Sequence, residues 1–454
     1  MQQLLLSSPS IIFLMISVGL IYFLLIFHFA GRNKSLVTKL EILFFGIFVI
    51  TIAGSAGALI GPLPKLHPQV LAFLSTTPPT VFGNLSFYAM FLSILSSRLR
   101  YTLKNFINVL AVLGYKAPFF SSFILMVGFS FLWSETPVVS LRFALVIFLT
   151  SIFAIYLGKQ YSWTEIYRFW RWVNIIVVIL CVFQALKDNQ QPAWYGILGH
   201  KNTFSFVMVQ TALWWLMYAF YSSKKRNLSL LFFVISFFAI IQGDSGASKV
   251  LLVSLISLWG YFSIAKKMTV QWAFVSIILF MIVSVCLTIV VTENLNFIVV
   301  DTLNKDMTLT GRTDFWPIIV EKINQRPILG YGIAGFWQKW RGINNPANDV
   351  IVVKTQFQPE HSHNGFLDIG LSVGWLGLSL FACSFFNNVA KAVIYLSKNR
   401  LPEAGLPLLL LTYTLMTNLT ETGLLGPTSI WFWYVVTTVR LTLDTAKNER
   451  QEKL

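Results

Sequence analysis

The stretch "PEHSHNGFLDIG", residues 359–370, gathers Glu360, His361, His363, Asn364 and Asp368, in a chain that has only five histidines. An imidazole fixed in position is the side chain best suited to moving a proton near neutral pH. His-x-His also admits a metal ion. A metal site needs about three or four ligands, and Glu360 and Asp368 are the possible completions, though no spacing enforces either. Asn364 and Asp368 fall one helical turn apart, where they could orient a histidine. The plainer alternative is a polar cap on an apolar helix.

Four further stretches carry isolated cations. Arg142 lies in "LWSETPVVSLRF" (132–143) and Lys201 in "LGHKNTF" (198–204), beside His200 and Asn202. Arg142 is either a bidentate phosphate ligand or an interfacial arginine whose stem lies along apolar surface. Lys201 is either an anion ligand at a helix N-terminus or an interfacial lysine. Lys249 in "QGDSGASK" (242–249) reads more simply as interfacial. Arg312 in "GRTDFW" (311–316) would, alone, be an ordinary solvated arginine.

The elements that must position these groups are membrane helices. The 454 residues are 56% hydrophobic and 11% charged, against about a quarter charged in soluble domains. Apolar runs of spanning length recur throughout, too long for barrel strands. Spans are expected near 10–30, 41–60, 81–97, 117–133, 138–157, 172–187, 203–222, 228–242, 248–264, 270–292, 364–386, 404–422 and 427–443. The predicted fold is thus an all-α polytopic membrane protein of about 12–13 helices. Residues 11–30 read as a retained span, since they lack a basic n-region and a small-residue cleavage site.

The net charge of +16 comes in short basic clusters between spans, such as Lys224/Lys225/Arg226 and Lys266/Lys267. That is the positive-inside pattern, not a nucleic-acid-binding stripe. It places the polar stretches above, together with "TNLTETG" (417–423), on the outer face. Cys181, Cys286 and Cys383 lie in apolar runs and imply no disulfide framework. Four segments follow: a bundle of about ten spans (1–292), a long outer loop (293–363), C-terminal spans (364–443) and an inner tail (444–454). Within the loop, "RTDFWPIIVEKINQRP" (312–327) predicts an amphipathic helix with Thr313 as cap and Pro317 in its first turn. Phe315, Trp316, Ile319, Val320 and Ile323 share its apolar face.

The combination "SFLWSETPVVSLR", "GILGHKNTFSF", "GRTDFWPIIVEKINQRPILGYGIAGFW" and "HSHNGFLDIGLSVGWLGL" resembles the O-antigen ligase/polymerase superfamily, in its ExoQ-like exopolysaccharide polymerase branch. The likeness runs from about residue 118 to 440. It implies an inverting GT-C-type glycosyltransferase of the cell inner membrane, with its active site facing the periplasm. The implied donor is an undecaprenyl-pyrophosphate-linked glycan, and the acceptor another glycan or lipid A-core, with no metal or other cofactor. Polysaccharide-export proteins are the implied partners. Carried onto this chain, Arg312 would hold pyrophosphate and His363 would act as base, with Arg142, Lys201, His361 and Asn364 contacting substrate. The second histidine, His361, departs from many members and leaves open which imidazole acts. Two other classes stay open: a transporter, such as an inorganic-carbon transporter, and a non-catalytic scaffold of a glycan-export complex. A transporter should show broken helices with polar sites near the bilayer midplane.

Overall fold

The computed structural model describes residues 99–187, 192–303, 312–351, 358–399, 401–426 and 428–451. The spans expected near 10–30, 41–60 and 81–97 lie outside them. All regular structure among the described residues is helical. The helices are α1 (Leu99–Lys116), α2 (Pro118–Phe129), α3 (Pro137–Gln160), α4 (Trp163–Lys187), α5 (Lys201–Tyr221), α6 (Arg226–Gln242), α7 (Gly246–Ala265), α8 (Val270–Leu303), α9 (Arg312–Gln325), α10 (Gly365–Lys398), α11 (Leu406–Thr417) and α12 (Ser429–Gln451).

Seven of these, α3 to α8 and α10, are long and apolar enough to cross a membrane. The chain is an all-α polytopic membrane protein. An eighth span arises if the pair α1–α2, bent by 110°, counts as one. The bend falls at Ala117, whose φ of −136° and ψ of 55° are non-helical, as expected before Pro118. The runs expected as spans at 404–422 and 427–443 behave differently. α11 has only 12 residues, nearly all buried. α12 is long, but Trp431, Phe432, Trp433, Tyr434, Val435 and Val436 are 0–2% exposed. It packs among α3, α10 and α11. A helix enclosed by protein needs no lipid-facing surface, so its tryptophans, threonines and Arg440 are tolerated.

α9 is the predicted amphipathic helix. It lies on the bundle, against α10, burying Phe315, Ile319 and Ile323. Its described part begins at Arg312, and Pro317 falls inside the helix and not in its first turn. α10 is broken after two turns, at Val373 (φ −135°, ψ 18°) and Gly374 (φ 68°, ψ −175°). The freed backbone groups are taken up by the Gly-rich loop after α9. Tyr331 N–H donates to Leu371 O (2.7 Å), Gly332 N–H to Ser372 O (2.9 Å), and Trp375 N–H to Pro327 O (2.7 Å). Gly330 (φ 66°) must be glycine for this fit, because a Cβ there would sit 2.6 Å from Leu371 O. The break therefore clamps the loop after α9 onto the short first segment of α10, which carries the polar cluster.

Candidate functional site

The histidine segment is held at Ser362, fully buried between the two imidazoles. Ser362 N–H donates to both Asp368 oxygens (3.3 and 3.4 Å). Its carbonyl accepts the Trp316 indole N–H (2.9 Å), and its hydroxyl accepts Asn364 N–H (3.0 Å). Asn364 caps α10, its Oδ1 accepting from Phe366 N–H (3.0 Å) and Leu367 N–H (3.3 Å). His363 precedes the cap and takes φ +52°, a left-handed conformation uncommon for a residue with a side chain. The histidine rings lie 4.0 Å apart, and His361 Nδ1 accepts the His363 backbone N–H (3.2 Å).

The partner of His363 comes from the α11–α12 connection. His363 Nδ1 stands 3.6 Å from Glu421 Oε2. That is close enough for charge pairing but long for a hydrogen bond, and Nδ1 is buried with no hydrogen-bond partner. The other Glu421 oxygen accepts from Asn202 Nδ2 at 2.6 Å, which ties α5 into the site. The connection is fixed to α10 where Gly365 N–H donates to Asn418 O (2.8 Å) and the Thr422 hydroxyl to Asp368.

Several assignments change. Asp368 orients the backbone, through Ser362, and takes the Trp337 indole N–H (2.9 Å); Glu421 is the carboxylate that faces the imidazole. Glu360 points to Lys339 (3.6 Å). Neither Glu360 nor Asp368 completes a metal set, but His361, His363 and Glu421 offer ligand atoms all within 4.8 Å of one another. These three could hold a metal, though His361 Nδ1 already accepts a backbone N–H, leaving its other nitrogen to carry the proton in the neutral ring.

Lys201 opens α5, after His200, whose ring caps that helix by accepting Asn202 N–H (3.3 Å). Arg142 is exposed on the first turns of α3. Arg312 opens α9, and its side chain lies outside the described residues. One turn on, Trp316 bonds Ser362, so this end of α9 stands beside the histidines. Lys249 pairs with Asp244 at 3.8 Å, both half exposed.

Glu135, in the α2–α3 connection, joins two loop arginines, Arg326 and Arg341. The Arg341 and Arg326 hydrogen bonds hold its carboxyl below the usual carboxylate range, despite some burial. Beneath the first turn of α10 lies an apolar cavity of about 260 Å³, lined by Ile278, Met281, Phe366, Phe381, Phe385 and Leu415 among others. Ile282 and Phe386, on its lining, are about half exposed on the flank of the bundle.

The fold and site thus define a helical membrane protein with a histidine–carboxylate pair at one end of its bundle, next to an apolar groove. Residues 231–382 match the family model for O-antigen ligase, a stretch from α6 into α10 that includes Arg312, His361 and His363. A protein of Rickettsia prowazekii (strain Madrid E) named as a candidate polysaccharide ligase is 42% identical over 72 residues, 16% of this chain and 18% of its own length. Its counterpart in Rickettsia typhi (strain ATCC VR-144 / Wilmington) is 40% identical over 73 residues, again 16% and 18%. The matched segment thus spans under a fifth of each relative. The resemblance to the O-antigen ligase/polymerase superfamily read from the motifs is supported by both comparisons.

Proposed function

We propose that the chain is a membrane glycosyltransferase of GT-C type. It transfers or polymerises an undecaprenyl-pyrophosphate-linked oligosaccharide on the periplasmic face of the cell inner membrane. The observation that carries this reading is His363, partly exposed at the mouth of the bundle, with its Nδ1 turned to the Glu421 carboxylate at 3.6 Å. His363 takes the proton of an acceptor hydroxyl as its oxygen attacks the anomeric carbon. The bond from that carbon to the pyrophosphate breaks on the opposite face, which inverts the configuration. Glu421 stabilises the imidazolium formed. The leaving pyrophosphate takes the electron pair and is met by Arg312, whose fork matches phosphate oxygens. Lys201 adds positive charge, and Arg142 lies on the path of the donor. The polyprenyl chain lies in the apolar groove under Phe366, so lipid and headgroup meet at the start of α10.

The acceptor is a second glycan, either another repeat unit or lipid A-core, and polysaccharide-export proteins are the natural partners. The transporter alternative gains from the break in α10. Against it, the Leu371 and Ser372 carbonyls freed there are bonded by loop N–H groups and not left to coordinate a cargo ion. The direct test incubates purified protein with lipid-linked oligosaccharide in EDTA and resolves products by mass. Elongated glycan and free undecaprenyl pyrophosphate are expected. Absence of transfer, or transfer restored only by added zinc or manganese, refutes the reading as stated.

A further inference from the structure

A second cavity lies on the outer loop, beside the histidines but separate from them. Its volume is about 410 Å³ and its lining includes Trp337, Gln338, Lys339, Trp340, Gln358 and Glu360. That size falls in the roughly 300–1,000 Å³ range of sites that take small organic ligands. We propose that this pocket binds sugar units of the acceptor glycan. The inference rests on the glycan-transfer reading and names where the acceptor chain sits.

The lining suits a saccharide in three ways. A pyranose has an apolar C–H face that packs on an indole, and Trp340 is 69% exposed, its ring open to such a partner. Trp337 is fixed: its N–H goes to Asp368 and its ring packs edge-on against Phe336, with centroids 4.9 Å apart. Hydroxyl groups need donors and acceptors around the ring's edge. Lys339 and Glu360 supply them at the rim, 3.6 Å apart, the first about half exposed and the second mostly so. Gln338 and Gln358 belong to the wall, which is held in shape. Gln338 N–H donates to Asn345 Oδ1 (3.1 Å) and Gln358 Nε2 to Ala347 O (3.0 Å). Gln338 Nε2 donates to Thr136 Oγ1 (2.5 Å) and Ala334 O (2.8 Å), which fixes this side of the wall.

Position adds the third point. Glu360 is the residue before His361, so a glycan in the pocket leads its terminal hydroxyl toward the imidazoles. A lipid occupant is disfavoured, because rim charges and wall amides would lose their hydration without compensation.

The test uses the full-length protein in detergent. The probe is the oligosaccharide released by mild acid from the lipid-linked glycan of the producing cells. Calorimetric titration should show binding to wild type and to His363→Ala, weakened at least tenfold in Trp340→Ala and largely kept in Trp340→Phe. In transfer assays Trp340→Ala should raise the acceptor KM at least tenfold, with kcat within twofold and the donor KM unchanged. Unaltered glycan binding in Trp340→Ala overturns the proposal, as does a rise in the donor KM alone. So does strong quenching of a fluorophore at position 340 by brominated lipid, which would make Trp340 a membrane anchor. Glycan binding by a wild type that never transfers would refute the catalytic reading and leave the pocket a sugar site. Transfer that depends on His363 but not on Trp340 would do the reverse.

Discussion

The two ends of the bundle treat charge differently. At the end bearing the α4 N-terminus, polar groups close on each other. Glu403 is bound by the Thr164 hydroxyl, and Asp444 takes Arg440 and the Trp163 indole (3.2 Å). Lys391 donates to Lys116 O (2.8 Å) and Thr442 (3.1 Å). Arg171 is sandwiched among Tyr167, Trp215 and Tyr218, its guanidinium carbon 3.2 Å from the Tyr218 centroid. At the other end, Ser362, Asn364 and Asp368 are saturated in the same way, yet the imidazole they position stays partly exposed, its Nδ1 facing Glu421 at 3.6 Å. Unpartnered atoms also occur elsewhere, at Arg171 Nε, Asn174 and Gln210, but neither a guanidinium nor an amide offers a base. Closed charge holds helices together, whereas an open base within a closed framework is what proton transfer requires.

The most complete break of this comparison would be topological. Cysteine at Ile343, 93% exposed on the loop after α9, should react with an impermeant thiol reagent in cells whose outer membrane is permeabilised. Cysteine at the exposed Lys398 should stay protected until the inner membrane is opened. Reversed labelling would turn the site away from the periplasm. Ile343 is preferable to Asn345, which is buried and accepts two backbone N–H groups.

Next in size, His363→Ala should reduce transfer about 10²–10⁴-fold, the usual scale for a positioned base, at normal protein level and with donor binding kept. His361→Ala should only weaken it. Equal or reversed severities, read from product mass per unit protein, would move the base to His361. Arg312→Lys should insert normally and lose most transfer, because lysine keeps the charge without the bidentate fork. Near-normal turnover would make Arg312 a solvated residue. Glu421→Gln, which keeps an oxygen for Asn202 but removes the charge facing His363, should lower kcat about tenfold or more and leave the donor KM unchanged. A change in KM alone would mark Glu421 as a binding group.

The smallest effects belong to the peripheral ion pairs. Asp444→Asn, at the closed end, should cost about 1 kcal/mol or less of stability and leave kcat unchanged, as partly exposed i,i+4 pairs do. Glu135 allows a check by pH. Its carboxyl is depressed in the folded protein, so its contribution is complete above its ordinary value of 4.5 and fades as pH falls through the lowered one. A thermal-melting series between pH 6 and 3 on wild type and Glu135→Gln should converge at the acid end.

Much of the framework was legible in one dimension. Apolar run length gives spans wherever a helix faces lipid, and the 3.6-residue repeat of Phe315, Ile319 and Ile323 gives α9, because both patterns are local. The crowding of His361 and His363 is local as well, whereas Asn364, read as orienting a histidine, proves to be the helix cap. What depends on several helices at once was decided by the fold alone. α11 and α12 are enclosed by other helices, a placement that hydropathy along the chain does not report. Glu421 became the partner of His363, in place of Asp368, because the α11–α12 connection folds back on α10. Asp368 is drawn off by Ser362, Trp337 and Thr422. The break at Val373 and Gly374 follows the same rule: a glycine permits it, but only the backbone N–H groups arriving from 331 and 332 make it stable. Chain order sets which groups are available, and three-dimensional competition for hydrogen bonds sets which one is left open to react.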